Sequence, residues 1–168
     1  MCVESVLNQT YSPMEIILSD QGSTDSSLAI LQEYQRRYNG PNTVRVVQCP
    51  DTDKKYMAGF NVHLNWLHTQ TDADIVLVTS ADDFNHHDRT TKVVKAFEEH
   101  NPDMVGTAIQ FINDDNSVNG ETDFPRESRF IAPIEMAERL VGGSSSQAWK
   151  HEFYETIGGI PGSAIIDV

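Results

Sequence analysis

The chain reads as an α/β protein built on a mostly parallel sheet flanked by helices. Three observations predict this. Short apolar runs of strand length, "EIILS", "TVRVVQ" and "DIVLVT", alternate with segments of helical periodicity. Two of these runs, Ile16–Leu18 and Ile75–Val78, are continuous and not alternating, as in strands covered on both faces. The same two strands end directly in acidic loops, Asp20–Asp25 and Asp82–Asp83. In parallel sheets, ligands gather beyond the carboxyl ends of the strands.

The elements follow in order. Val3–Gln9 forms a short helix closed by the Tyr11-Ser12-Pro13 turn. Glu15–Ser19 is a strand, and Asp20–Thr24 is the loop at its end. Ser23 or Asp25 can cap the helix Ser26–Tyr38, in which Leu28, Leu31 and Tyr34 share one face. Thr43–Gln48 is a second strand. Lys55–Thr69 is a helix with Met57, Phe60, Leu64 and Leu67 on one side. Asp74–Thr79 is a third strand, and Arg89–His100 is a helix that stops before Pro102. Asp103–Ile112 carries a further strand. Asn113–Pro125 is polar and turn-rich, which predicts a loop. Pro133–Val141 and Ser146–Ile157 read as helices, the second ended by Gly158-Gly159. No repeat or linker divides the chain, so residues 1–168 are expected to form one domain.

Composition narrows the function. The net charge is −13 over 168 residues, which argues against nucleic-acid binding through clustered Lys and Arg. A nucleotide remains compatible, because a bound divalent cation reverses the local field. Cys2 and Cys49 match neither a metal pattern nor a disulfide framework, which makes a cytoplasmic location the expectation. No apolar run approaches the length that spans a bilayer.

Three stretches carry candidate chemistry. In "TSADDFNHHD", Asp82 and Asp83 directly follow a buried strand. Adjacent carboxylates repel, and a hard cation with oxygen ligands offsets that repulsion. The alternative is a solvated loop that caps the next helix. His86, His87 and Asp88 offer a further metal ligand or proton-transfer group, or a polar turn with Asp88 as N-cap. In "SDQGSTD", Gly22 permits a tight turn, and Asp20 can accept hydrogen bonds from a base or ribose. Asp25 can bond the loop's own amides, and a plain strand–turn–helix junction is the alternative. In "GGSSSQAWKHEFYETIGG", the Gly-Ser run is either the floor of a substrate site or a flexible loop. Trp149 and Phe153, four apart, are expected in the core.

Taken together, these segments resemble family 2 glycosyltransferases of the GT-A fold, over Glu4 to Gly159. "ESVLNQTYSPMEIILSDQGSTDSSLAIL" is similar to the family's Ser-Val-Leu-x-Gln-Thr, strand, Asp-Asp-Gly-Ser-x-Asp pattern, with Gln21 in place of the second Asp. Gly59 and Asn65 match the Gly and Asn of Gly-x-x-x-Ala-Arg-Asn, with Leu64 at the Arg position. "DADIVLVTSADD" resembles the strand leading to Asp-x-Asp-Asp, with Ser80 at the first acid. "GGSSSQAWKHEFYETIGG" resembles the family's acceptor-side segment.

The resemblance implies transfer of a sugar from a nucleotide-diphosphate sugar to an acceptor hydroxyl, with inversion. It implies Mn²⁺ or Mg²⁺ at Asp82 and Asp83, and nucleotide contacts from Asp20, Gly22, Ser23, Asn65, Ser80 and Asp82. Gly143 and Ser144 fall on the acceptor side. Asp167 is the candidate base, being the one acid beyond Gly159. The family's first strand, which would precede "ESVLNQTY", and its later Gln/Arg-x-x-Arg-Trp motif have no counterpart in the chain. The expectation is therefore a partial domain with an incomplete sheet, open to pairing with a second copy. A non-catalytic remnant is the alternative.

Overall fold

A computed structural model of the chain describes residues 1–50, 56–121, 130 and 144–159. Helix α1 (Cys2–Leu7) leads into strand β1 (Glu15–Asp20). Helix α2 (Ser27–Arg37) and strand β2 (Thr43–Gln48) follow, then helix α3 (Tyr56–His68) and strand β3 (Ile75–Leu77). Helix α4 (Arg89–His100) precedes three short strands, β4 (Met104–Gly106), β5 (Gln110–Ile112) and β6 (Val118–Glu121). A 3₁₀ turn at Ser144–Ser146 enters strand β7 (Gln147–Lys150), and helix α5 (His151–Thr156) follows.

The α/β class agrees with the sequence reading, but the pairing is mixed. Strands β1 and β2 are parallel, from Glu15↔Thr43 to Asp20↔Gln48. Strand β7 lies antiparallel between β3 and β4, so that those two run the same way. Strands β5 and β6 form an antiparallel hairpin. Four sequence expectations are corrected here. Gln147–Lys150 is a strand and not the start of a helix. It fills the space between β3 and β4, where Ala148 and Trp149 are buried at 0% and 4% exposure. Asp103–Ile112 is two strands, β4 and β5, that pair with different partners. Asn113–Pro125 is not all loop, because Val118–Glu121 pairs with β5 across a turn with Asn116 at φ 65°. The third strand is shorter than expected, with Val78 and Thr79 outside β3. The proposed helix Pro133–Val141 lies outside the described residues.

Two small cores hold the β3–β7–β4 sheet. On one face Leu64 of α3 packs with Trp149 and Tyr154, joined by Val76, Val78, Met104 and Phe153. On the other, Val93 and Phe97 of α4 close on Ala148, with Ile75, Leu77 and Val105 around them. Burying side chains of this size contributes roughly 1.5–3 kcal/mol each. The placement of Trp149 and Phe153 agrees with the core expectation.

Among the described residues, the β1–β2 pair and the β3–β7–β4 sheet share no ladder: β1 is hydrogen-bonded to β2 alone and β3 to β7 alone. The Met14 and Asp20 carbonyls accept from Thr43 and Cys49. Ladder alternation therefore turns the amides of Ile17 and Ser19 to the opposite edge. Likewise Asp74 and Val78 bond β7 through His151 and Gln147, so Ile75 and Leu77 face away from it.

Candidate functional site

The first loop is built around Asp20, the last residue of β1 and 3% exposed. Its carboxylate accepts the Gly22 amide at 3.0 Å, the Ser23 amide at 3.2 Å and the Gln48 side-chain amide at 3.3 Å. Gly22 at φ 71° makes this wrap possible. Hydrogen bonding from Ser23 leads the interactions that hold the Asp20 carboxyl below its ordinary range, against the opposing effect of burial. The N-cap of α2 is Ser26 and not the Ser23 or Asp25 that the sequence offered. Asp25 bonds just past it, accepting the Ser27 amide at 2.9 Å at the start of α2. Beside β1, Ser19 Oγ meets His63 Nε2 of α3 at 2.6 Å. Burial lowers the His63 pKa while Asp20 raises it.

The second loop follows β3. The Asp83 amide donates to the Ser80 carbonyl at 3.3 Å, which closes a turn that leaves both carboxylates exposed. Ser145 grips this turn from the segment before β7. Its Oγ hydrogen goes to the Asp83 carboxylate, which has no proton to give. The same oxygen lies 2.8 Å from the Ser80 hydroxyl and accepts from the Ser80 amide at 3.3 Å. The Cys2 thiol of α1 donates to the Ser80 carbonyl at 3.1 Å. Burial pushes that thiol up, with smaller contributions from Asp83 and Asp82.

Arg89 supports the loop from below. It is 8% exposed, and one guanidinium nitrogen donates to the Val78 carbonyl (3.1 Å), Thr79 Oγ1 (3.2 Å) and Asn85 Oδ1 (2.6 Å). The other nitrogen reaches the Gln147 carbonyl of β7 at 3.4 Å. Burial lowers the Arg89 pKa to about 10, where it remains charged at neutral pH. The far end of the loop is fixed to the segment that follows α1. Gln9 Nε2 donates to the His86 carbonyl, and the Thr10 amide donates to that of His87, both at 2.9 Å.

The remaining candidates are placed unevenly. Asn65 sits away from the acidic turn. It accepts from the Tyr154 hydroxyl and faces Gly159, where an added Cβ would come within 2.7 Å of Asn65 Oδ1. Both residues line a cavity of about 1030 Å³ at the amino end of β3, together with His68, Asp74 and Lys150. Ser144 opens the 3₁₀ turn next to Ser145. Gly143 and Asp167 lie outside the described residues. Sequence reasoning missed Ser145 and Arg89. Three serines in a row gave no means of choosing one, and an Arg opening an amphipathic helix reads as a solvated cation.

A divalent cation suits the donor set of the acidic turn in kind. Asp82 and Asp83 are exposed oxygen ligands at a strand end, and hard cations take one or two carboxylates and complete their shell with phosphate and water. Ser80, at the first acid position of the family pattern, contributes a hydroxyl already bonded to Ser145.

An α/β domain with an acidic turn beyond the carboxyl end of a strand is in keeping with the GT-A glycosyltransferases. The crystal structure of S. aureus TarS 1-349 in complex with UDP superposes with a TM-score of 0.68 at 16% identity, covering 97% of this chain and 47% of that one. Residues 1–157 match the family Glycosyl transferase family 2, and the chain belongs to that family. It is 30% identical over 124 residues to "Putative glycosyltransferase EpsE" of Bacillus subtilis (strain 168), covering 73% of this chain and 42% of that protein. A stretch of 33 residues is 58% identical to the chondroitin synthase of Escherichia coli, covering 20% of this chain and 5% of that protein. The chain thus spans less than half the length of the relatives it matches.

Proposed function

We propose that this chain is a metal-assisted glycosyltransferase domain that moves a sugar from a nucleotide-diphosphate sugar to an acceptor hydroxyl, with inversion. The observation that carries the reading is the exposed Asp82-Asp83 turn, held in shape by Ser145 and Arg89 at the end of β3. Asp20, Gly22 and Ser23 form the nucleotide side, with Ser80 completing it, while Asn65, bonded to Tyr154 at the amino end of β3, lies outside it. Asp82 and Asp83 hold Mn²⁺ or Mg²⁺, which when bound neutralises charge on the departing diphosphate. Gly143 and Ser144 are assigned to the acceptor side by the family resemblance alone.

In the reaction the acceptor oxygen forms a bond to the anomeric carbon as the bond from that carbon to the diphosphate oxygen breaks. The nucleoside diphosphate leaves with the electron pair, and a carboxylate takes the acceptor proton. Asp167 is the candidate for that base. That the structural neighbour was solved in complex with UDP supports a nucleotide as ligand here. The protein acts in the cytoplasm in this reading. Among the described residues no helix is long and apolar enough to cross a membrane.

The alternative is a remnant that keeps the fold without turnover. Ser80 at an acid position favours it, as do the edges of β1 and β3 that have no strand partner among the described residues. The same edges favour pairing with a second copy, which light scattering across a concentration series tests. Calorimetric titration of UDP, and of GDP in parallel, with and without Mn²⁺, tests the main reading. Metal-dependent binding lost in Asp82→Ala is expected. Absence of binding at millimolar nucleotide would turn the assignment to the remnant.

A further inference from the structure

We propose a second cation site at His86, His87 and Asp88, suited to a transition metal such as Zn²⁺ and separate from the Asp82-Asp83 turn. One ligand atom from each residue lies within 4.8 Å of the others. Atoms bound to one tetrahedral zinc lie roughly 3–3.5 Å apart, given metal–ligand distances near 2.0–2.1 Å. Both histidines are exposed, so side-chain rotation can close the difference, with the His86 Nδ1–Asp88 Oδ1 contact kept or exchanged for the metal.

The backbone under them does not have to move. The His86 carbonyl accepts from Gln9 Nε2 at 2.9 Å and from the Arg89 amide at 3.0 Å, and the His87 carbonyl accepts from Thr10. Gln9 is itself fixed, with Oε1 accepting from Thr90 at 2.9 and 3.0 Å. The two imidazole rings lie close together, with centroids 4.3 Å apart and planes tilted by 38°.

The donor set decides the metal. Two imidazoles and one carboxylate suit Zn²⁺, Ni²⁺ or Cu²⁺, whereas Mg²⁺ and Mn²⁺ prefer the all-oxygen turn at Asp82 and Asp83. Asp88 serves in either of two ways. Its Oδ1 lies 2.5 Å from His86 Nδ1, so it can ligate directly or orient His86 while Nε2 takes the metal. Its Oδ2 meets the Lys92 ammonium at 2.9 Å. That ammonium opposes a bound cation, which gives the site a signature of its own. The site leaves a coordination position open to water or a ligand oxygen.

The test is calorimetric titration of ZnCl₂ into the untagged, chelator-stripped chain. The expected result is one saturable site, weakened more than about tenfold in His86→Ala and in His87→Ala. It persists in Asp82→Ala/Asp83→Ala and tightens in Lys92→Ala. Co²⁺ in place of Zn²⁺ gives visible absorption that disappears in His87→Ala. Absence of saturable binding would overturn the proposal. So would binding that survives both histidine substitutions and is lost with Asp82 and Asp83. Neither result bears on nucleotide binding at the acidic turn, so the two readings stand or fall separately.

Discussion

The Ser145 hydroxyl donates to the Asp83 carboxylate across 62 residues of chain, joining the segment before β7 to the loop after β3. The same oxygen accepts from the Ser80 amide, so one side chain fixes both ends of the acidic turn. Ser145→Ala removes all of these bonds without adding bulk. A hydrogen bond to a charged group is worth about 1.5–3 kcal/mol, reduced here by the exposure of Asp83. The expected outcome is a loss of about 1 kcal/mol in urea unfolding. Weaker UDP–Mn²⁺ binding is expected by calorimetry, because the turn is no longer preformed.

Arg89 bonds two backbone carbonyls and two side chains while almost fully buried. Arg89→Ala leaves the Val78 and Gln147 carbonyls and Asn85 without that donor, and is expected to cost about 3 kcal/mol or more. Arg89→Lys is expected to rescue little, because an ammonium cannot reproduce the planar fork. Melting temperatures of the two variants, measured together, check this.

His68 gives a pH dependence with a defined sign. Its Nε2 accepts from Trp149 Nε1 at 2.8 Å, and its ring stacks on Tyr154 at 3.5 Å between centroids. Burial, with help from His151, lowers its pKa from 6.5 to about 4. The unfolded chain therefore takes up a proton before the folded one does. Stability is full above pH 6.5, declines as pH falls from 6.5 towards about 4, and levels off below that. The loss reaches up to about 3 kcal/mol. Urea midpoints across this window are expected to fall in the wild type. They should be flatter in His68→Gln, which keeps an acceptor for the indole.

Gly159 sits at φ 78° with Asn65 Oδ1 in the place of a side chain. Gly159→Ala is expected to cost about 1–3 kcal/mol from backbone strain and contact together. Gly158, at φ 76° with open space around it, carries the strain alone. Gly158→Ala should therefore be the milder of the two. Thermal unfolding of the pair separates the two contributions.

Much of this fold is legible in the sequence where local pattern and tertiary environment agree. Thr43–Gln48 and Arg89–His100 read correctly to the residue, because a β-branched run and an amphipathic repeat each have one solution. Gln147–Lys150 fails for the opposite reason. Trp149 and Phe153 are spaced four apart, which imitates a helix face, and "QAWK" has no β-branched residue. Its strand state comes from the slot between β3 and β4, which no local window contains. The candidate site divides the same way. Asp20, Asp82 and Asp83 are marked by following apolar runs. Ser145 and Arg89 become visible only when distant segments meet.

The insertion of β7 between β3 and β4 also sets an order of assembly. Trp149 closes the core over α3 and pairs its indole with His68, 81 residues earlier. As a nascent chain leaves the ribosome, α3, β3 and β4 emerge long before the strand that joins them. Until Lys150 is released, Leu64 and Val76 have no Trp149 to cover them. Loop-closure entropy must be overcome before any of those contacts form. Synthesis thus passes through a stage with an exposed apolar groove, the kind of intermediate on which chaperones act.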